Sequence, residues 1–479
     1  MTDYAPLHML IDGEWTAGTS GRTVPVDNPA TEEVLGDLPL ASEADLDRAL
    51  EASQRGFETW RRTPAVDRQK VMERAARLLE ERMDAIARDM VRDMGKPLAE
   101  ARIEINFAID VLRWYAEEGK RMYGRIVPAR VPGLRQIVVN EPVGPCLAFV
   151  AWNFPANNVM RKVGAALGAG CSLTIKPSEE TPSTAIAIGR ALQDAGLPAG
   201  VLNIVFGDPA EVSSHLIASP IAKKLSFTGS IPVGKHLTRL AADTMKRVTM
   251  ELGGHAPVLV FKDADIERAA KLAAGAKYRN AGQVCISPTR FLVEEPVLDR
   301  FTEALVRESE AQVVGNGLDE GVTMGPLVAR RRIEVMEDFI ADAKSHGGEV
   351  LTGGERIGNR GHFFAPTVIG GLNDDAKIMN EEPFGPLAPV SSFASMDEAI
   401  ERANRLPFGL AAYAFSSDPG TVRTMGEAIE AGMVGVNSPV ISTPETPFGG
   451  IEESGYGSEG GIEGLAVYTR TRLVTEMQA

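Results

Sequence analysis

The chain has 479 residues, of which 44% are hydrophobic and 24% charged, and carries a formal net charge of −15. That length exceeds what one hydrophobic core fills, so two or three structural units are expected. The acidic surplus argues against a nucleic-acid or anionic-membrane partner, and it demands local cations wherever an anionic substrate binds.

The first part reads as helical. Ser42 and Asp45 have the spacing of a capping box. Leu46, Ala49, Leu50, Phe57 and Trp60 then recur at helical intervals. More helices follow, one ending near Gly95 and Pro97 and another running from about Leu98 to Met122. The segment around Arg125–Asn140 reads as a strand pair without a partner in its own unit. From Glu141 to Glu251 apolar runs at Cys146–Ala151, Ser172–Ile175, Val201–Phe206, Lys224–Phe227 and Val248–Met250 are separated mostly by helical stretches. Strand, helix, strand in succession predicts a parallel sheet.

After Gly253-Gly254 a second α/β stretch begins, with strands near Val258–Phe261 and Arg290–Val293, and continues to about residue 455. The tail at Leu465–Val474 reads as a further strand. Together with Arg125–Asn140 it is expected to make an oligomer contact. The expected organisation is α/β in three parts: residues 1–122 with 142–252, residues 253–455, and residues 123–141 with 456–479.

The three cysteines, Cys146, Cys171 and Cys285, have neither CxxC spacing nor a histidine at metal-ligand spacing. No disulfide framework and no metal site is expected. No basic-then-apolar leader opens the sequence, and no run approaches about 18 apolar residues, so the expected location is the cytoplasm.

Five stretches carry chemistry. Cys285 follows a helix in the polar, Gly-containing run Arg279-Asn280-Ala281-Gly282-Gln283-Val284-Cys285; by itself it reads as a core thiol or as a nucleophile. Glu251 ends an apolar strand before Gly253-Gly254, as a general base or a solvated strand end. Asn153, before Pro155, is an oxyanion donor or a helix N-cap. Lys176 and Glu179 after the next strand are ribose ligands or an exposed turn. Phe227-Thr228-Gly229-Ser230 leads from a strand into a helix, which suits a phosphate, although it is neither GxGxxG nor a P-loop. Asn153, Lys176, Gly229 and Glu251 all follow strands of one parallel sheet, so they are expected to line one crevice.

Together these stretches resemble the motifs of the aldehyde dehydrogenase superfamily over essentially the whole chain. Ala151-Trp152-Asn153-Phe154-Pro155 is similar to the family's oxyanion motif, with Ala151 where Pro or Thr is usual. The loop from Phe227 to Gly234 resembles its cofactor loop, Met250-Glu251-Leu252-Gly253-Gly254 its base motif and Gly282-Gln283-Val284-Cys285 its nucleophile motif. Glu381-Glu382-Pro383-Phe384-Gly385-Pro386 resembles the nicotinamide-side motif. Pro447-Phe448-Gly449-Gly450 and Glu453-Ser454-Gly455-Tyr456-Gly457 resemble the C-terminal signature.

The resemblance implies a Rossmann-type cofactor domain, an α/β catalytic domain and a small oligomerisation strand element, assembled as a homodimer or homotetramer. It implies oxidation of an aldehyde to an acid through a thioester on Cys285, with Asn153 holding the oxyanion and Glu251 activating water. It implies NAD(P) bound by Trp152, Lys176, Glu179, Gly229, Ser230, Gly234, Glu382 and Phe384. Glu179 would repel a 2′-phosphate, which favours NAD over NADP.

Among branches, the chain resembles the succinate-semialdehyde and 2-oxoglutarate-semialdehyde dehydrogenases. Arg161 and Arg279 fall at their carboxylate-binding positions, and Ser442, or else Thr443, near a third. The competing reading pairs either arginine with an early-helix carboxylate such as Glu104 or Glu117. Ser287 stands where some succinate-semialdehyde enzymes have a second cysteine. A general aliphatic or aromatic aldehyde dehydrogenase, a cysteine hydrolase and a coenzyme A-acylating enzyme are the competing readings. The hydrolase needs a basic histidine, and His255 reads as structural; retention of Glu251 argues against acylation.

Overall fold

A computed structural model describes residues 4–478; residues 1–3 and 479, at the ends of the first and last expected segments, lie outside the described residues. The opening of the chain is not helical. Met9–Ile11 and Glu14–Thr16 form a hairpin, and Thr23–Asp27 pairs antiparallel with Val34–Pro39. The overlooked signal was Asp12-Gly13, both at positive φ, the pair that a tight hairpin turn prefers. Helices begin at Glu43, where Ser42 and Asp45 satisfy each other's backbone N–H groups in a capping box. Met83–Met94 ends on Gly95 at φ 92°, a left-handed cap that costs glycine little. Leu98–Glu118 follows, and a short 3₁₀ turn, Gly119–Arg121, replaces the rest of the expected helix.

The first large sheet has eight strands. Leu202–Ile204, Leu173–Lys176, Cys146–Phe149, Lys224–Gly229 and Arg247–Leu252 are neighbours in that order and mutually parallel. The first three are buried along their whole length, as expected for strands with helices on both faces. Chain order reverses between Cys146–Phe149 and Lys224–Gly229, which creates a crevice at their carboxyl ends. Antiparallel edges come from Met9–Ile11 on one side and Gly455–Tyr456 on the other.

The second sheet has seven strands, parallel from Thr367–Gly370 through Leu387–Phe393, Pro288–Glu294, Ala256–Val260 and Ala411–Phe415 to Met433–Val436. Its order reverses between Ala256–Val260 and Ala411–Phe415. Two apolar cores accompany the sheets. One runs through Leu252 and takes back Val328, Leu465 and Tyr468; the other begins at Ala256.

The third element is a sheet of Arg125–Val127, Leu134–Pro142 and Thr469–Met477. Two sequence expectations need correction here. Leu465 lies in the helix Gly461–Ala466, docked on the first core, so the tail strand starts only at Thr469. Gly455–Tyr456 extends the eight-stranded sheet, so residue 456 belongs to the body of the molecule and not to the arm.

Candidate active site

The Cys285 loop is built under strain. After the helix Ile266–Tyr278, Asn280, Ala281 and Gly282 take φ values of 50°, 53° and 72° in succession. A non-glycine residue in that region costs on the order of 1 kcal/mol or more and persists only where its surroundings impose it. They do so here. Asn280 N–H donates to Glu100 Oε2 at 2.9 Å, and Asn280 Nδ2 donates to the Asn153 carbonyl at 2.9 Å. Gln283 Oε1 accepts from Val328 N–H at 3.0 Å. A Cβ on Gly282 would lie against Pro386 N at 3.0 Å and closer still to the Gly385 carbonyl. The loop therefore projects Cys285 into a cavity of about 500 Å³. Burial, then the Glu382 and Glu251 carboxylates, push its thiol up to about 12, opposed by Arg279 and Arg161.

Glu251 lines the same cavity, beside Thr228 in the sheet register. It is 3% exposed, and neither carboxyl oxygen has a hydrogen-bond partner among the described residues. Burial, then Glu459, hold its pKa well above the usual carboxylate range, while Lys162 and Arg161 pull it down. Lys162 and Glu459 were missed in the sequence. Lys162 Nζ donates to Glu459 Oε1 and, at 2.7 Å, to Thr228 Oγ1. Lys162 and Glu459 stand 297 positions apart, so no local pattern announces them. Asn153 is buried and lines neither this cavity nor the neighbouring cleft. Its Nδ2 donates to the Gln283 carbonyl at 3.1 Å, and its Oδ1 accepts from Asn158 at 3.1 Å. The amide is locked in orientation next to the nucleophile loop, with its second N–H not taken by that bond.

The substrate end of the cavity carries Arg161, Arg279 and Ser442; Thr443 does not line it and bonds Thr446 instead. Arg161 is 5% exposed; its Nη2 donates to Ser442 Oγ at 2.8 Å, and its Nη1 has no partner among the described residues. The early-helix carboxylates are engaged elsewhere: Glu104 with Lys96, and Glu117 with Lys120. Among the described residues neither Arg161 nor Arg279 forms an ion pair, so both guanidinium groups remain available to an anion.

A second cleft, of about 1010 Å³, shares Thr228 with the first. Trp152, Lys176, Glu179, Gly229 and Ser230 line it. The sheet register sets Lys176, Phe149, Phe227 and Met250 in one row, so the loops after these strands open on one edge. Lys176 Nζ meets Glu179 at 2.6 Å, and Glu179 Oε1 also accepts from Gly207 N–H at 3.1 Å. The helix Ile231–Ala242 starts at this cleft without a side-chain cap among the described residues, so the leading N–H groups other than that of Pro232, which has none, are open to an anion. These features fit a dinucleotide.

Three expected ligands of that group stand off the cleft wall. Gly234 faces Leu252, where a Cβ would lie 2.5 Å from that side chain, so it serves the packing of helix on strand; Val233 lines the cleft. Phe384, at φ 48°, meets Trp152 edge-on at 5.6 Å. Glu382 reaches back so that a Cβ on Gly253 would lie 2.5 Å from its Oε2, and burial raises its carboxyl to about 8. Ser287 lies buried outside the cavity, and Cys285 is the one cysteine lining it. His255 is buried between Thr289 and the Ile378 carbonyl and does not line the cavity.

Comparison with known proteins agrees with this geometry. The model of the aldehyde dehydrogenase family matches residues 15–474. The putative 4-(hydroxymethyl)benzenesulfonate dehydrogenase TsaD2 of Comamonas testosteroni is 44% identical over 97% of both chains. The NADP(+) succinate-semialdehyde dehydrogenase GabD of Escherichia coli K12 is 42% identical over 97% of this chain and 96% of its own. A crystal structure of succinate-semialdehyde dehydrogenase from Burkholderia pseudomallei superposes with a TM-score of 0.97, at 42% identity and 98% coverage of both chains. The chain belongs to the aldehyde dehydrogenase family, and it uses NAD or NADP.

Proposed function

We propose that this aldehyde dehydrogenase oxidises aldehydes that carry a distal acid group, semialdehyde acids among them, through a thioester on Cys285. One observation carries the reading: two arginines that form no ion pair among the described residues line the cavity that holds Cys285 and Glu251. In a chain with a net charge of −15, two guanidinium groups without an ion pair among the described residues, on the wall of one cavity, suit an anion. The two relatives named above both specify a substrate with an acid group, a sulfonate in one and a carboxylate in the other.

The roles follow from position. The Cys285 thiol must lose its proton to attack the aldehyde carbon, and Arg279 and Arg161 favour the thiolate. Asn153, its amide held by the Gln283 carbonyl beside the nucleophile loop, would give its second N–H to the oxygen of the adduct. Lys176, Glu179, Gly229, Ser230 and Trp152 hold NAD(P), which supplies the hydride acceptor when bound. Glu251 then takes a proton from the water that hydrolyses the thioester. Glu179 favours NAD, because its carboxylate accepts a ribose hydroxyl and repels a phosphate. The three-stranded arm, with Ile126 and Leu473 exposed, supports a homodimer or homotetramer, which a monomeric mass in light scattering would rule out. Free Cys146, Cys171 and Cys285 fit a reducing cytoplasm.

The test is a rate comparison. Succinate semialdehyde and 2-oxoglutarate semialdehyde should show kcat/KM at least about tenfold above butanal, one charge-assisted contact being worth roughly that factor. Equal values would refute the acid-aldehyde reading.

A further inference from the structure

The cavity beyond Cys285 is larger and more apolar than a four-carbon acid needs. It holds about 500 Å³, within the range of roughly 300–1,000 Å³ that encloses ligands of drug-like size. Three phenylalanine rings, Phe107, Phe154 and Phe448, stand in its wall. Each is set against a guanidinium: Arg161 lies 5.4 Å from the Phe107 centroid and 4.5 Å from that of Phe448, and Arg279 lies 5.3 Å from that of Phe154. With a guanidinium over each ring, the wall joins aromatic surface to cations, a combination that suits a flat π-system carrying an anion. The apolar surface continues to the mouth, where Ile103 and Val440 line the cavity yet remain 68% and 70% exposed. An acyclic four-carbon acid satisfies the arginines and leaves that wall in contact with water.

We propose that the preferred substrates are arene aldehydes bearing an acidic substituent, carboxylate or sulfonate, across the ring from the formyl group. This rests on the acid-aldehyde reading above and narrows it. The ring lies against the phenylalanine-lined wall, the anion meets the arginines, and the formyl carbon faces Cys285. A rigid ring has no internal rotors to freeze on binding, so it holds the formyl carbon at the thiol at lower entropic cost than a flexible chain.

The test measures kcat/KM for 4-formylbenzoate, 4-formylbenzenesulfonate, benzaldehyde, succinate semialdehyde and butanal, each with saturating NAD and with NADP. At least one arene acid should match or exceed succinate semialdehyde and should exceed benzaldehyde by about tenfold or more. The two arene acids decide between carboxylate and sulfonate. If both fall below succinate semialdehyde while the acids still beat their neutral counterparts, this inference is overturned and the acid reading stands. If the acids do no better than benzaldehyde and butanal, both fall together. Phe107→Leu, which keeps an apolar side chain and removes a ring, should lower kcat/KM for the better arene acid about fivefold more than for succinate semialdehyde. An equal change in both would overturn the role given to the ring.

Discussion

The two clefts that meet at Thr228 are built in opposite ways. The cofactor cleft comes largely from the loops after consecutive strands of one sheet, so Trp152, Lys176, Glu179 and Gly229 recur at each strand end along about 80 residues. The substrate cavity draws on Phe107, Arg161, Cys285 and Ser442, from four segments that are distant in the chain. The first takes its chemistry from backbone and glycine geometry, the second from side chains packed against one another. A cleft of the first kind suits a ligand shared across a family, and a cavity of the second kind is free to differ between members.

Substitutions in the two clefts should therefore separate. The largest effect is expected at their shared chemistry: Cys285→Ser should cut kcat by about a thousandfold or more while leaving NADH binding, read by fluorescence, unchanged. Lost nucleotide binding would mean that the loop holds the cofactor cleft together as well. Next, Arg161→Ala should raise KM for semialdehyde acids by roughly 10- to 100-fold and for butanal much less, the loss expected of a buried charge-assisted contact. Comparable losses on both substrates would make Arg161 a packing residue and blur the contrast between the clefts. Arg279→Ala, at the more exposed position, should follow the same pattern with a smaller amplitude.

On the other side, Glu179→Ser should improve NADP use by about tenfold without altering the ranking of aldehydes. Unchanged NADP kinetics would remove Glu179 from cofactor selection. The smallest effect is expected at Glu459. Its charge raises the pKa of Glu251, whereas Lys162 lowers it. Glu459→Gln removes the first and frees the second, so Glu251 should ionise at lower pH. The rising limb of kcat against pH should then move down by about 0.5 to 1 pH unit. An upward move would show that Glu459 acts by holding Lys162 in place and not by its charge.

Legibility in the sequence follows the same division. The parallel strands, the helix starting after Ser42, the stop at Gly95 and the convergence of Lys176, Gly229 and Glu251 on one sheet edge can be read because each depends on local pattern and strand periodicity. The opening hairpins were not read, although Asp12-Gly13 marked one of them. Gly234 is expected at the cofactor from its motif, but it stands off the cleft because its helix packs it against Leu252 of the neighbouring strand. Leu465 was read as strand because it is apolar, whereas contact with the first core holds it in a short helix.

By itself, then, the sequence determined the layered α/β fold, through periods of two and 3.6, and offered Cys285, Glu251, Arg161 and Arg279 as candidates through resemblance to the motifs of a family. Only the tertiary structure decided which charges are paired. Glu104 goes to Lys96 and Glu459 to Lys162, while Arg161 and Arg279 form no ion pair among the described residues and lie beside three phenylalanine rings. Ion pairing depends on distances of a few ångströms between residues hundreds of positions apart, and no period along the chain encodes it.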